Sequence, residues 1–181
     1  MIKIPSIEEC MKIMEEHKMP SNIKAHSIKV RDVSVFLTKE LNKKGKKLNE
    51  GLVEASALLH DIAKIYCLNS REKHNEVGAD LLRTMGYERV ADVVEQHINF
   101  WKKYKKLVEE EIVNYSDKRV MHDKIVSLQE RFEDVKYRYA CNEPETRERI
   151  KLTEKDGYRV EKRVFKNLDF SPDDLTKLLG K

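Results

Sequence analysis

The stretch "ASALLHDIAK", residues 55–64, decides how this chain is built. An apolar run, Ala57-Leu58-Leu59, leads directly into His60 and Asp61, and Ile62 and Ala63 resume it before Lys64 closes it. The pattern predicts a helix from about Asn49 to Lys64 whose inward side ends on a titratable pair. A buried charge is costly unless it is paired or bound to a metal. Something else in the core must therefore meet His60 and Asp61.

The rest of the chain repeats the helical period. Ser6 and Glu9 have the spacing of a capping box and open a helix to about His17. Pro20 and Ser21 open a longer one with the stripe Ile23, His26, Val30, Val33, Leu37 and Leu41; "NKKGKK" ends it, with Gly45 as its cap. A fourth helix carries His74, Val77, Leu81 and Met85 and stops at Gly86, and a short fifth carries Val90, Val94 and His97. "NFWKKYK" reads as a loop, and a sixth helix passes through Ile112, Val113 and Asp117. "HDKIVSLQERFEDVKYRY" predicts a long amphipathic helix with Ile125, Leu128, Phe132 and Val135 inside. After "CNEPET", a last long helix shows the stripe Ile150, Thr153, Gly157, Val160, Val164 and Leu168. Ser171 and Pro172 then open a short final helix. No stretch alternates with period 2, so the fold class is all-α.

Composition agrees with one helical domain with room for an appendage. Of 181 residues, 40% are apolar and 38% charged, enough for a real core under a heavily solvated surface. The net charge of +4 comes from 36 basic and 32 acidic residues that are interspersed, which speaks against a nucleic-acid surface. Cys10, Cys67 and Cys141 are far apart, form no CxxC pair and read as free thiols of a reducing cytoplasmic compartment. "MIKIPSIEEC" has no signal-like apolar segment, and no apolar run is long enough to span a bilayer.

One buried histidine is usually a hydrogen-bonded core residue. Here His26, His60 with Asp61, His74, His97 and Asp117 lie on or beside the apolar faces of five different helices. Convergence on metal would satisfy them together. Four imidazoles and two carboxylates without a thiolate suit Fe, Mn or Zn better than Ca or Mg. Six ligands exceed the needs of one catalytic ion and fit two, about 3.5–4 Å apart.

The ordered set His26, His60-Asp61, His74, His97 and Asp117, with "LLHDIAK" at its centre, resembles the HD-domain superfamily of metal-dependent phosphohydrolases, in particular its six-ligand binuclear subgroup. The resemblance runs from about residue 20 to 122, with Ala63 where glycine is frequent in the motif. It implies an HD helical bundle over 20–122, an N-terminal helix (1–19) packed on it and a C-terminal helical extension (123–181) of the same domain. It implies two divalent transition metal ions, Fe or Mn first, with Zn, Co or Ni also admissible. One ion would take His26, His60, Asp61 and Asp117; the other His74 and His97, with Asp61 shared. The implied reaction is cleavage of a phosphate ester or anhydride by a metal-bridging hydroxide. The substrate would be a nucleotide or similar small phosphorylated metabolite, as in the HD-type diadenosine tetraphosphate hydrolases. Asp61 and Lys64 would be the catalytic residues, and Lys64, Lys118 and Arg119 the phosphate-binding ones. The same ligand set also serves diiron oxygenases of the superfamily, such as inositol oxygenase, and a non-catalytic nucleotide sensor is a third possibility.

His122-Asp123 is a second His-Asp pair, but no apolar run precedes it, and it reads as structural or solvent-facing. His17 reads as a surface residue, and Phe100 and Trp101 as packing or a pocket wall. Arg31, Lys73 and Lys102 are weaker phosphate candidates. The apolar stripes after residue 122 need burial, within the chain or in a homodimer.

Overall fold

A computed structural model of the chain describes residues 2–68, 70, 72–99, 104–139 and 144–180. Among the described residues, helices form nearly all of the regular structure, and the one sheet is a two-strand hairpin, so the fold is all-α. No described helix is long and apolar enough to cross a membrane.

Helix α1 (Ile7–Glu16) starts at the expected capping box. The Glu9 N–H donates to Ser6 Oγ at 3.2 Å, and the Ser6 N–H donates to the Glu9 carboxylate at 2.7 Å. Cys10, Ile13 and Met14 form its buried side, and it packs on α3 (Glu50–Leu59). Helix α2 (Ser21–Lys43) is the long strut of the molecule. Val30, Val33, Leu37 and Leu41 are fully buried along it, each worth about 1.5–3 kcal/mol of transfer from water. Past its end Gly45 has φ +82°, a left-handed conformation that glycine adopts without penalty.

Helices α4 (His74–Thr84) and α5 (Glu88–Glu95) pack on each other, and α6 (Glu109–Lys118) closes the bundle against α2 and α3. Several expected boundaries differ: α5 ends at Glu95, short of His97, and α8 at Phe165, short of Leu168. α3 stops at Leu59, not Lys64, and the chain continues through i→i+3 hydrogen bonds at Leu59–Ile62, Asp61–Lys64 and Ala63–Tyr66. The long helix expected from residue 122 begins at Leu128 instead. Before it, β1 (Val120–Met121) pairs antiparallel with β2 (Lys124–Ile125), and His122 turns the hairpin at φ +57°.

Helix α7 (Leu128–Tyr139) starts there because Ser127 and Glu130 cap it reciprocally: Glu130 N–H donates to Ser127 Oγ at 3.1 Å, and Ser127 N–H donates to the Glu130 carboxylate at 2.8 Å. Helix α8 (Pro144–Phe165) pairs with α7 and rests on α6. Gly157 makes the pairing close, since a Cβ there would lie 3.4 Å from Phe132. The expected stripes are buried at Leu128, Phe132, Ile150, Val160 and Val164. A 3-10 turn (Pro172–Asp174), capped by Ser171, leads into α9 (Leu175–Leu179).

Candidate metal centre

All six expected ligands meet in one place. His26 comes from the second turn of α2, and Asp117 from the last turn of α6. His60 and Asp61 follow α3 directly, His74 is the first residue of α4, and His97 lies two residues past α5. The tight turns after Leu59 aim the His-Asp pair inward. Gly78 of α4 lets those turns seat closely, because a Cβ there would meet Ile62 at 3.3 Å and Ala63 at 3.6 Å.

Three of the imidazoles are oriented by the main chain. Nδ1 of His26 donates to the His122 carbonyl at 2.8 Å, that of His60 to the Ala57 carbonyl at 2.8 Å, and that of His97 to the Val94 carbonyl at 2.6 Å. A carbonyl oxygen can only accept, so the hydrogen sits on Nδ1 and Nε2 is left to face the centre. This gives the His122 hairpin its part: its side chain is exposed, as the sequence implied, but its left-handed backbone hands a carbonyl to a ligand.

The two oxygens of Asp61 face different histidines. Oδ1 lies 3.3 Å from His74 Nε2 and 3.6 Å from His97 Nε2. Oδ2 lies 3.5 Å from His60 Nε2, 4.0 Å from His26 Nε2 and 2.6 Å from Lys64 Nζ. Asp117 Oδ1 lies 3.1 Å from His26 Nε2 and 3.7 Å from His60 Nε2. His26, His60 and Asp117 can converge on one cation, as can His60, Asp61 and His97. His74 Nε2 is 3.1 Å from His97 Nε2, which places it beside the second group.

Burial opposes ionisation of Asp61 and Asp117, yet the imidazoles around them hold both carboxyls well below the usual range. Burial likewise opposes a charged His60, but Asp61 and Asp117 outweigh it and raise its pKa above the ordinary value. Burial, with positive charge from His60 and His74, pushes His97 down to about 4 despite Asp61, so its ring is neutral at pH 7. The His60 Nε2 atom is fully buried and makes no hydrogen bond. Two buried carboxylates, inward-facing Nε2 atoms and an orphaned buried nitrogen are the donor chemistry of a divalent transition metal centre.

A cavity of about 390 Å³ opens on Asp61, His74, His97 and Asp117. Lys64 reaches it but is ion-paired to Asp61. Lys118 lines it too. It is buried rather than on a helix surface, and its ammonium donates to the His97 carbonyl at 3.0 Å. Burial pushes it down to about 8, with Asp117 opposing. Arg119, expected beside Lys118 at the phosphate, points elsewhere. It is fully buried and donates to the Val126 carbonyl at 2.7 Å, Tyr115 Oη at 2.6 Å, the Glu161 carboxylate at 3.2 Å and the Pro172 carbonyl at 3.0 Å. It fastens α6 to α8 and the C-terminal turn. Tyr115, one turn before it on an apolar face, was the signal for that inward direction.

Arg31 pairs with Glu54 and Asp32, and Lys73 with Glu76; neither lines the cavity. His17 is half-buried, its carbonyl accepting from Tyr66 Oη at 2.8 Å. Phe100, Trp101, Lys102 and Cys141 lie outside the described residues.

The far wall of the cavity comes from helices that sequence reading assigned to packing. Arg131, Phe132, Val135 and Tyr139 of α7 line it, as do Thr146, Arg149, Ile150 and Thr153 of α8. The readable clue was Thr153, a polar residue on the α8 apolar stripe. It faces the cavity and donates to Asn99 Oδ1 at 3.2 Å.

Comparison with curated proteins and with solved structures gives no match. The family model described as "HD domain" matches residues 23–122, the span that holds all six inward-facing residues. The chain thus belongs to the HD-domain family, whose members bind divalent metals and are typically metal-dependent phosphohydrolases.

Proposed function

We propose that this protein is a binuclear, six-ligand HD phosphohydrolase that cleaves a phosphate ester or anhydride of a nucleotide or a similar small metabolite. The observation that carries this reading is the Asp61 carboxylate. Its two oxygens face His74 and His97 on one side and His26 and His60 on the other. A carboxylate so placed is suited to sharing between two ions, one with His26, His60 and Asp117, the other with His74 and His97.

Two divalent ions would supply an activated water and neutralise phosphoryl oxygens. The residues of the chain do the rest. Asp61 holds the histidine sets in register. His122, Ala57 and Val94 carbonyls fix three ligand rings before any metal arrives. Lys64 and Lys118 bring positive charge to the cavity in which a phosphoryl group would meet the metal ligands.

Protein loaded with Mn or Fe(II) and offered a panel of nucleotides and small phosphate esters should release phosphate from at least one class. Absence of release from all of them, with both metals bound, would overturn the reading.

A further inference from the structure

We infer that α7 and α8 select the substrate: a phosphate compound with an apolar or ring-bearing body that lies along these helices, while Arg131 joins Lys64 and Lys118 around its phosphate. This rests on the phosphohydrolase reading of the same site. The metal-ligand wall of the cavity comes from the helical module that the family model matches. The opposite wall is Phe132, Val135 and Ile150 from α7 and α8, with Ile98 beside them. A bare phosphate or a polyol would leave that wall facing water. A ring or hydrocarbon body would bury it. The volume is at the small end of ligand pockets, enough for one ring system next to a phosphate.

Charge selects the other end. Lys64, Lys118, Arg131 and Arg149 line the cavity, and among its lining residues the only carboxylates are the metal ligands Asp61 and Asp117. Arg131 is mostly buried, at 15% side-chain exposure, and donates through Nη1 to Asp134 at 3.2 Å. Its Nε is buried and has no hydrogen-bond partner. Arg131 lines the same cavity as Lys64 and Lys118. A mostly buried guanidinium that lines the cavity beside two further cations is matched by a phosphate oxygen. Arg149 is exposed and holds Thr146 Oγ1 at 3.2 Å, so it belongs to the rim.

The test uses the Mn-loaded full chain and two probes of similar charge that hydrolysis cannot consume, methylphosphonate and phenylphosphonate. Calorimetry should show phenylphosphonate binding about tenfold or more tightly. Val135→Asn should abolish that preference and leave methylphosphonate affinity within about twofold, since it changes the apolar wall and adds no charge beside Arg131. Arg131→Met should weaken both probes roughly tenfold or more, with unchanged metal content by elemental analysis, and Arg131→Lys should recover part of the loss. If Val135→Asn does not fold by circular dichroism, Ile150→Ala gives the same reading of the wall. No preference in the wild type, or variants that bind both probes as the wild type does, would overturn the inference. Phosphate release from phenyl phosphate and from the whole panel of nucleotides and esters is measured separately. A wild type that prefers the phenyl probe but releases no phosphate refutes hydrolysis and leaves the selection of ligands by α7 and α8 standing.

Discussion

Adjacent residues here have unlike duties. Lys118 and Arg119 follow the proposed ligand Asp117, yet one faces the cavity and the other the C-terminal helices. Removing one partner of a buried ion pair costs about 3–5 kcal/mol, because the other charge is left unpaired. Arg119→Met should therefore lower stability by about 3 kcal/mol, read by thermal or urea unfolding, while the folded fraction keeps its metal. Unchanged stability would return Arg119 to the list of phosphate ligands. Cys10 offers a pH test. Its thiol is fully buried in α1, and burial, helped by Glu9 and Glu54, pushes it up to about 12. An unfolded thiol titrates near about 8.5. Between these values the unfolded chain has lost the proton and the folded chain keeps it, so stability falls as pH rises. Cys10→Ala should flatten that alkaline slope, and alkylation of Cys10 at pH 8 should require unfolding, as peptide mass mapping would show.

At the level of elements, the capping box at Ser127 and Glu130 sets where α7 begins, and α7 carries Arg131 and Phe132 one turn on. Ser127→Ala should cost about 1 kcal/mol and fray that first turn. On the proposed function, its kinetic mark is a raised KM with kcat nearly kept. An equal fall in kcat would instead place the damage at the metal ligands. The α1 box and the α2 stripe were legible because local hydrogen bonds and the 3.6-residue period set them. The end of α3 at Leu59 was not, since "LLHDIAK" has helical spacing throughout. Its tight turns are selected by what His60 and Asp61 meet across the core. The His122 hairpin was hidden for a similar reason: "HDKIVSLQ" carries apolar residues at helical spacing, while the two-residue turn takes a left-handed residue at His122 and its carbonyl meets His26 across the core. The six inward residues were readable because polar side chains on apolar faces are conspicuous. Arg131 and Arg149 were not, because arginines flanking an amphipathic stripe look the same whether they meet water or a cavity.

The whole molecule divides its work between two sets of helices. α2 to α6 bring the six metal-type residues to one point, and α7 with α8 build the wall that faces them. Arg119, Tyr115 and Glu161 tie the two sets together, as does the pairing of Glu111 with Arg163 and Arg159. The cavity therefore keeps its shape only while both sets are docked. The hydrolysis proposed for it depends on Asp61 standing between two metal positions. The direct measurement is elemental analysis of metal per chain in purified wild type, Asp61→Ala, His74→Ala and His97→Ala, each first shown to be folded. The account predicts two ions in the wild type, loss of both in Asp61→Ala, and loss of mainly one in each histidine variant. Equal loss in all three variants, or none, would contradict it.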